Sequence, residues 1–169
     1  MTGRSDDLHP SARRVDDWAA ERGLELDVRE YPEDGARTAD EAAAAVGCKV
    51  DQIVKSMIFA AEGPAGPELI LALTSGTNQV DPEALALVAD VGRCGRADAE
   101  AVREATGYAI GGVPPFGHRT ALRTWIDPHL LTFDQVWAAA GTPRHVFPIA
   151  PHRLIELTGA EPAPFTRSS

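Results

Sequence analysis

IVKSMIFAA (53–61), GPAGP (63–67) and ELILALT (68–74) follow one another in the chain. Two apolar runs of strand length are separated by a turn built from glycine and proline. That pattern predicts a β-hairpin at the centre of the fold. Strand and helix patterns then spread outward on both sides of it.

Upstream, the apolar spacing of Val15, Trp18, Ala19 and Arg22 predicts a helix over 11–22 that stops at Gly23. LELDVREY (24–31) alternates apolar and charged residues and reads as a half-buried strand. Thr38 followed by Glu41 is a capping box that opens an Ala-rich helix ending at Gly47. Downstream, SGTNQVD (75–81) reads as a loop. Asp81-Pro82-Glu83 then reads as N-cap, first-turn proline and acidic first turn of a helix over 82–89. A helix over 97–106, a short strand YAIGG (108–112) and a strand ALRTWID (121–127) follow. Thr132 with Gln135 predicts another capped helix that ends at Gly141. HVFPI (145–149) is a last strand, PHRLIELTG (151–159) a short helix, and 1–10 and 161–169 are loose termini. Helices and strands are interleaved, yet the hairpin demands antiparallel pairing. The fold class is therefore mixed α/β (α+β), in one domain over 11–160.

With 169 residues, 44% hydrophobic and 24% charged, the chain has the composition of an ordinary globular domain. No apolar run is long enough for a membrane helix, the N-terminus lacks a signal-peptide core, and Cys48 and Cys94 suggest no disulfide framework. A reducing cytoplasm is the expected setting. The net charge of −9 argues against a grip on duplex nucleic acid, DNA included, because that affinity comes from Lys and Arg neutralising phosphates. A pocket for one single-stranded end is compatible with it.

Three features carry candidate chemistry. Lys55 stands inside an apolar strand. It either lies outward with its stem over apolar surface or is a partly desolvated amine that holds a phosphate or substrate. AIGGVPPFGH (109–118) holds two glycines whose amides a ligand can approach closely, then two prolines that fix the path. The loop is either an oxyanion-binding element or a tight turn. His118 closes it, as a donor to a substrate carbonyl or as a cap of the turn. Asp127, His118 and His129 lack metal-ligand spacing, so no metal and no cofactor are expected. No GxSxG elbow, GxGxxG or P-loop is present.

VKSMIFAA, LTSGTNQVD, GYAIGGVPPFGH and AAAGTPRHVFPIAPHRLIELTGA together resemble the YbaK/prolyl-tRNA-synthetase-associated editing domain family, over about residues 12–160. The resemblance implies a compact domain with a mixed, barrel-like sheet and flanking helices. It implies hydrolysis, in trans, of the ester joining a wrong amino acid to the 3′ end of a tRNA. Its implied partners are the aminoacyl-tRNA acceptor end and a prolyl-tRNA synthetase or elongation factor that presents it. By motif, Lys55 takes the place of the family's essential lysine. Gly111, Gly112, Pro115 and Gly117 take the places of its Gly-rich substrate loop, with His118 following and Tyr31 near a pocket-lining position. Lys55, Gly111 and Gly112 are thus the implied catalytic groups. Tyr31, Pro115, Gly117 and His118 are the implied substrate contacts. The cysteine-editing branch carries a Ser-containing, Arg-Gly-rich segment where this chain has Ala140, Thr142 and Pro143. That departure points toward alanyl or another small aminoacyl group. The alternatives are a module of the same fold that binds without turnover, and a metal hydrolase.

Overall fold

The computed structural model describes residues 8–31, 36 and 38–168. Its centre is the expected hairpin: β2 (Val54–Gly63) pairs antiparallel with β3 (Gly66–Ser75) along its whole length. The preceding strand β1 is short (Arg29–Glu30). Strand β3 is a continuous apolar run because both of its faces are covered. Leu71 and Leu73 face one core, with Val54, Ile58 and Ile126. Ile70 and Ala72 face the other, with Phe59, Trp125 and Phe165. Strands β5 (Cys94–Arg96), β6 (Arg123–Ile126) and β9 (Glu161–Pro162) complete a mixed five-stranded sheet in the order β5-β2-β3-β6-β9. The contacts of β6 with β3 and with β9 are parallel.

A second sheet joins β1, β8 (His145–Ile149) and β7 (Val136–Ala139) in antiparallel order. A single bridge from Ile53 to Trp137 ties it to the start of β2. The two sheets therefore share an edge there and curve toward a barrel. A third pairing joins β4 (Asn78–Val80) to β10 (Thr166–Ser168).

Among the described residues, five α-helices flank these sheets: α1 (Pro10–Ala20), α2 (Ala39–Val46), α3 (Pro82–Ala89), α4 (Ala99–Thr106) and α5 (Pro151–Thr158). The starts of α2 and α3 follow the expected signals, whereas α1 ends at Ala20 with Glu21 as its C-cap and not at Gly23. Thr38 accepts from the Glu41 amide at 3.1 Å, and Asp81 accepts from the amides of Glu83 and Ala84.

Five expectations are corrected. The segment 75–81, expected as a loop, holds β4, which pairs with β10. The helix expected over 132–141 is replaced by β7. The Thr132 hydroxyl donates to the His129 carbonyl instead of capping, and Val136, Trp137 and Ala138 are buried against β8. Tertiary burial overrides the helical preference of an Ala-rich run. The segment 24–31 keeps its alternation, with Leu26 and Val28 buried, but only Arg29–Glu30 pairs. YAIGG forms a turn, not a strand. The C-terminus is not loose: Ala160, Ala163 and Phe165 are buried, and β9 and β10 pair. The expected loose N-terminus falls mostly on residues 1–7, outside the described residues. Leu8 already packs on the core.

Candidate functional site

Strand β2 has a gap in its outer edge. Phe59, Ala60 and Ala61 pair with β5, and the Ile53 bridge leads to β7. Among the described residues, no strand lies beside Val54–Met57 on that side. A cavity of about 610 Å³ fills the gap, floored by Val54–Ile58 and walled by Arg96, Trp137, Gly111, Thr142 and Tyr31, among others. Its size suits a small-molecule or nucleotide-end ligand. Small side chains (Ala39, Ala42, Ala97, Ala138 and Ala139) keep it open.

Lys55 lies on the floor. Its Nζ donates to the Asn78 carbonyl at 2.5 Å. Burial pushes its pKa below the ordinary lysine value, the Arg96 charge adds to that, and Asp127 partly offsets it. Asn78 is itself held in place. Its side-chain amide donates to Asp127 Oδ2 at 2.9 Å, and the same oxygen accepts from the Ser75 amide at 3.1 Å. Asp127 Oδ1 accepts from the His129 amide at 3.0 Å. Asp127 is 2% exposed, so it is a buried carboxylate with three hydrogen-bond donors around it. It fixes the loop that fixes the lysine. His129 points elsewhere, to Asp51 at 2.7 Å. Among the described residues no cluster of three or more His, Cys, Asp or Glu could hold a metal ion.

The glycine loop has two sides. Gly111 lines the cavity and is in the left-handed region at φ 94°. Its amide meets no acceptor among the described residues. Gly112 does not line the cavity. Its amide donates to the Ala109 carbonyl at 3.0 Å, and a Cβ there would stand 2.5 Å from Thr142 Cα. The second glycine is thus required by the close approach of two backbones. Pro115, Gly117 and His118 lie behind the loop, off the cavity lining. Phe116 stacks on Trp18 with ring centroids 4.7 Å apart and touches Phe147. His118 Nε2 meets the Pro114 carbonyl at 2.6 Å. Burial holds the His118 pKa below the usual imidazole value, against the opposing effect of that hydrogen bond.

Tyr31 lines the cavity, and its hydroxyl pKa is pushed up to about 12 by burial and then by Cys48. It stays a neutral phenol at physiological pH. Sequence reasoning missed Arg96, Ser56, Thr142 and His145. Arg96 is exposed on the cavity wall with no carboxylate partner among the described residues. Ser56 lines the cavity with a buried hydroxyl that has no hydrogen-bond partner among the described residues. Thr142 Oγ1 meets His145 Nδ1 at 2.6 Å, and His145 Nε2 meets Glu30 at 3.1 Å. No local motif marks that cluster, because its carboxylate comes from β1.

A second hollow of about 640 Å³ lies by the hairpin turn. Its charged groups pair with residues of their own, Glu62 with Arg93 and Glu68 with Arg123. No further helix or loop cluster converges there, so the cavity at Lys55 is the candidate site.

The chain is similar to known proteins in sequence and fold. The protein is 46% identical to a solved structure described as a candidate trans-editing enzyme for prolyl-tRNA synthetase, which matches 96% of this chain and 100% of that one with a TM-score of 0.88. A structure of a hypothetical protein, 28% identical, matches 91% of this chain and 99% of its own with a TM-score of 0.81. The uncharacterised protein YwhH of Bacillus subtilis (strain 168) is 29% identical over 134 residues, covering 79% of this chain and 82% of YwhH. The sequence profile of the aminoacyl-tRNA editing domain matches residues 33–157. The chain belongs to the aminoacyl-tRNA editing domain family.

Proposed function

We propose that the protein is a trans-editing hydrolase that cleaves the ester of a mischarged aminoacyl-tRNA, with tRNA-Pro carrying alanine, cysteine or another small amino acid as its substrate. One observation carries the reading: a half-buried lysine and a glycine whose amide meets no acceptor among the described residues line one cavity at a break in the sheet. Family membership supports the reaction class. The neighbour described as acting for prolyl-tRNA synthetase supports the choice of tRNA.

The terminal nucleotide and aminoacyl ester enter between Lys55 and the Gly111 turn. Lys55 holds the terminal phosphate or ribose and positions the attacking water. Arg96 adds positive charge on the same wall. The Gly111 amide donates to the ester carbonyl as it becomes an oxyanion, and losing such a donor costs on the order of 3 kcal/mol in catalysis. Gly112 serves by letting the loop sit against Thr142, and Pro115, Gly117 and His118 support the loop from behind. Water attacks without a covalent intermediate. The α-ammonium of the ester needs an acceptor, which Lys55 and Arg96 cannot provide.

The test is deacylation of a panel of tRNA-Pro charged with Ala, Cys, Ser or Pro, by wild type and Lys55→Ala. Release of one small aminoacyl group by wild type and not by the variant is the expected result. No release from any member of the panel would leave a binding module without turnover as the better account. Equal rates for both proteins would remove Lys55 from the reaction.

A further inference from the structure

The lining of the cavity also carries a hydrogen-bond chain that the lysine chemistry does not use. Thr142 lines the cavity, and its Oγ1 accepts from the Arg144 amide at 3.0 Å and meets His145 Nδ1 at 2.6 Å. On the other side of the ring, His145 Nε2 meets Glu30 Oε2 at 3.1 Å. An ionised carboxylate only accepts, so Nε2 carries the ring's proton and Nδ1 is left as an acceptor. The Thr142 hydroxyl must then donate to Nδ1. Its proton is held by the ring, one lone pair takes the Arg144 amide, and the other meets no donor among the described residues. A hydroxyl locked in this way presents an acceptor to a ligand.

The lining thus holds groups of two kinds: the cations Lys55 and Arg96, and at Thr142 a hydroxyl backed by imidazole and carboxylate. Resting on the aminoacyl-ester reading above, we infer that Thr142 Oγ1 is the specificity group that receives the substrate's α-ammonium, with His145 and Glu30 holding its proton out of the way. An ester with phosphate at one end and ammonium at the other is oriented by that polarity, and a charge-assisted hydrogen bond is about twice as strong as a neutral one. The groups that face the ring are Glu30, Arg144 and His9, whose ring centroid is 6.3 Å away. Protonation of His145 would reverse the bond, because Nδ1–H then donates and, with the Arg144 amide, occupies both lone pairs of the hydroxyl. Acid should therefore weaken recognition of the ammonium.

The experiment compares alanyl-tRNA-Pro with propionyl-tRNA-Pro, in which hydrogen replaces the amine. Each rate is divided by that ester's own uncatalysed rate. Wild type should favour the alanyl ester by about tenfold or more in kcat/KM, the usual worth of a charge-assisted contact. Thr142→Val, which keeps the shape and loses the oxygen, should bring the two esters to similar rates by slowing only the alanyl one. Thr142→Ser should keep the preference. Thr142→Ala serves as a second deletion if the valine variant melts early. Equal handling of both esters by wild type would overturn the inference whatever the variants do, as would a Thr142→Val that slows both esters alike. No release of either ester by wild type would instead fall on the editing reading, and this inference would go with it.

Discussion

The front and the back of the loop 109–118 are built on opposite rules. On the front, among the described residues, the Gly111 amide meets no acceptor and the buried Ser56 hydroxyl in the cavity lining has no partner, and Lys55 is held by one carbonyl with its charge partly desolvated. On the back, every feature is filled. Phe116 is 3% exposed between Trp18 and Phe147, and the His118 ring is bonded to Pro114. Unmet polar groups are costly in a folded chain, so the two beside Lys55 suit a place where a ligand completes the structure, whereas the buried Trp125 Nε1, also without a partner among the described residues, lies off the cavity lining. The close packing behind keeps that face in place. The comparison makes a sharp claim: front-face changes should lower activity and spare stability, and back-face changes should do the reverse.

Phe116→Ala is the largest expected effect. Truncating a buried phenylalanine typically costs about 3–5 kcal/mol. At about 2–4 °C per kcal/mol for a domain of this size, the melting temperature should fall by roughly 10 °C. Deacylation per folded molecule, measured well below the melt, should fall far less. A variant that melts normally would show that the stack does not anchor the loop.

Lys55→Ala is the front-face counterpart. Deacylation should fall by about a hundredfold or more, the usual scale for a positioned acid–base or electrostatic group. Thermal stability should hardly change, because removing a desolvated amine relieves a burial cost as well as losing one hydrogen bond. A large drop in melting temperature would make the lysine structural and erase the contrast.

Gly112→Ala tests the seam between the faces. Its Cβ would stand 2.5 Å from Thr142 Cα, and backbone cannot give way as a side chain can. Overpacking of this kind costs about 1–3 kcal/mol. It should also slow deacylation, since parting the two loops moves Gly111 from Thr142. At Gly111 the added Cβ meets only the Pro143 ring at 3.5 Å, so Gly111→Ala should be limited by its positive φ and disturb the opposite wall less.

How much of this was legible follows from where each signal resides. The hairpin was readable because its apolar runs and its turn lie next to each other. Lys55 stood out because a charge inside an apolar strand needs a reason. The loop 109–118 was readable as rigid, but sequence does not say which side of a rigid loop faces a cavity. Hence Gly111 and Gly112 looked alike, and Pro115, Gly117 and His118 looked like substrate contacts. Strand β7 was hidden because VWAA is neutral to its own fate until β8 lies beside it. The Thr142–His145–Glu30 chain was hidden because strand pairing, not sequence spacing, brings Glu30 beside His145. Local chemistry was visible, and chemistry assembled by register was not.

The smallest expected effect is the most direct test of which face His118 serves. Its folded pKa lies below the ordinary 6.5, mainly from burial. The unfolded chain therefore binds the proton more readily than the folded one. Stability from this group is present above about pH 6.5 and is lost as pH falls through the lower folded value. His145 has the same sign, so the wild-type melting temperature should decline from both residues as acid is added. His118→Gln keeps an amide donor for the Pro114 carbonyl and removes one of the two titrations. Its melting temperature should fall less steeply than that of wild type between about pH 7.5 and 5. Its deacylation at the upper end should match wild type, because the ring lies off the cavity lining. Parallel pH curves would mean that His118 titrates normally. Lost activity with normal stability would move it to the front face and break the division between the two sides of the loop.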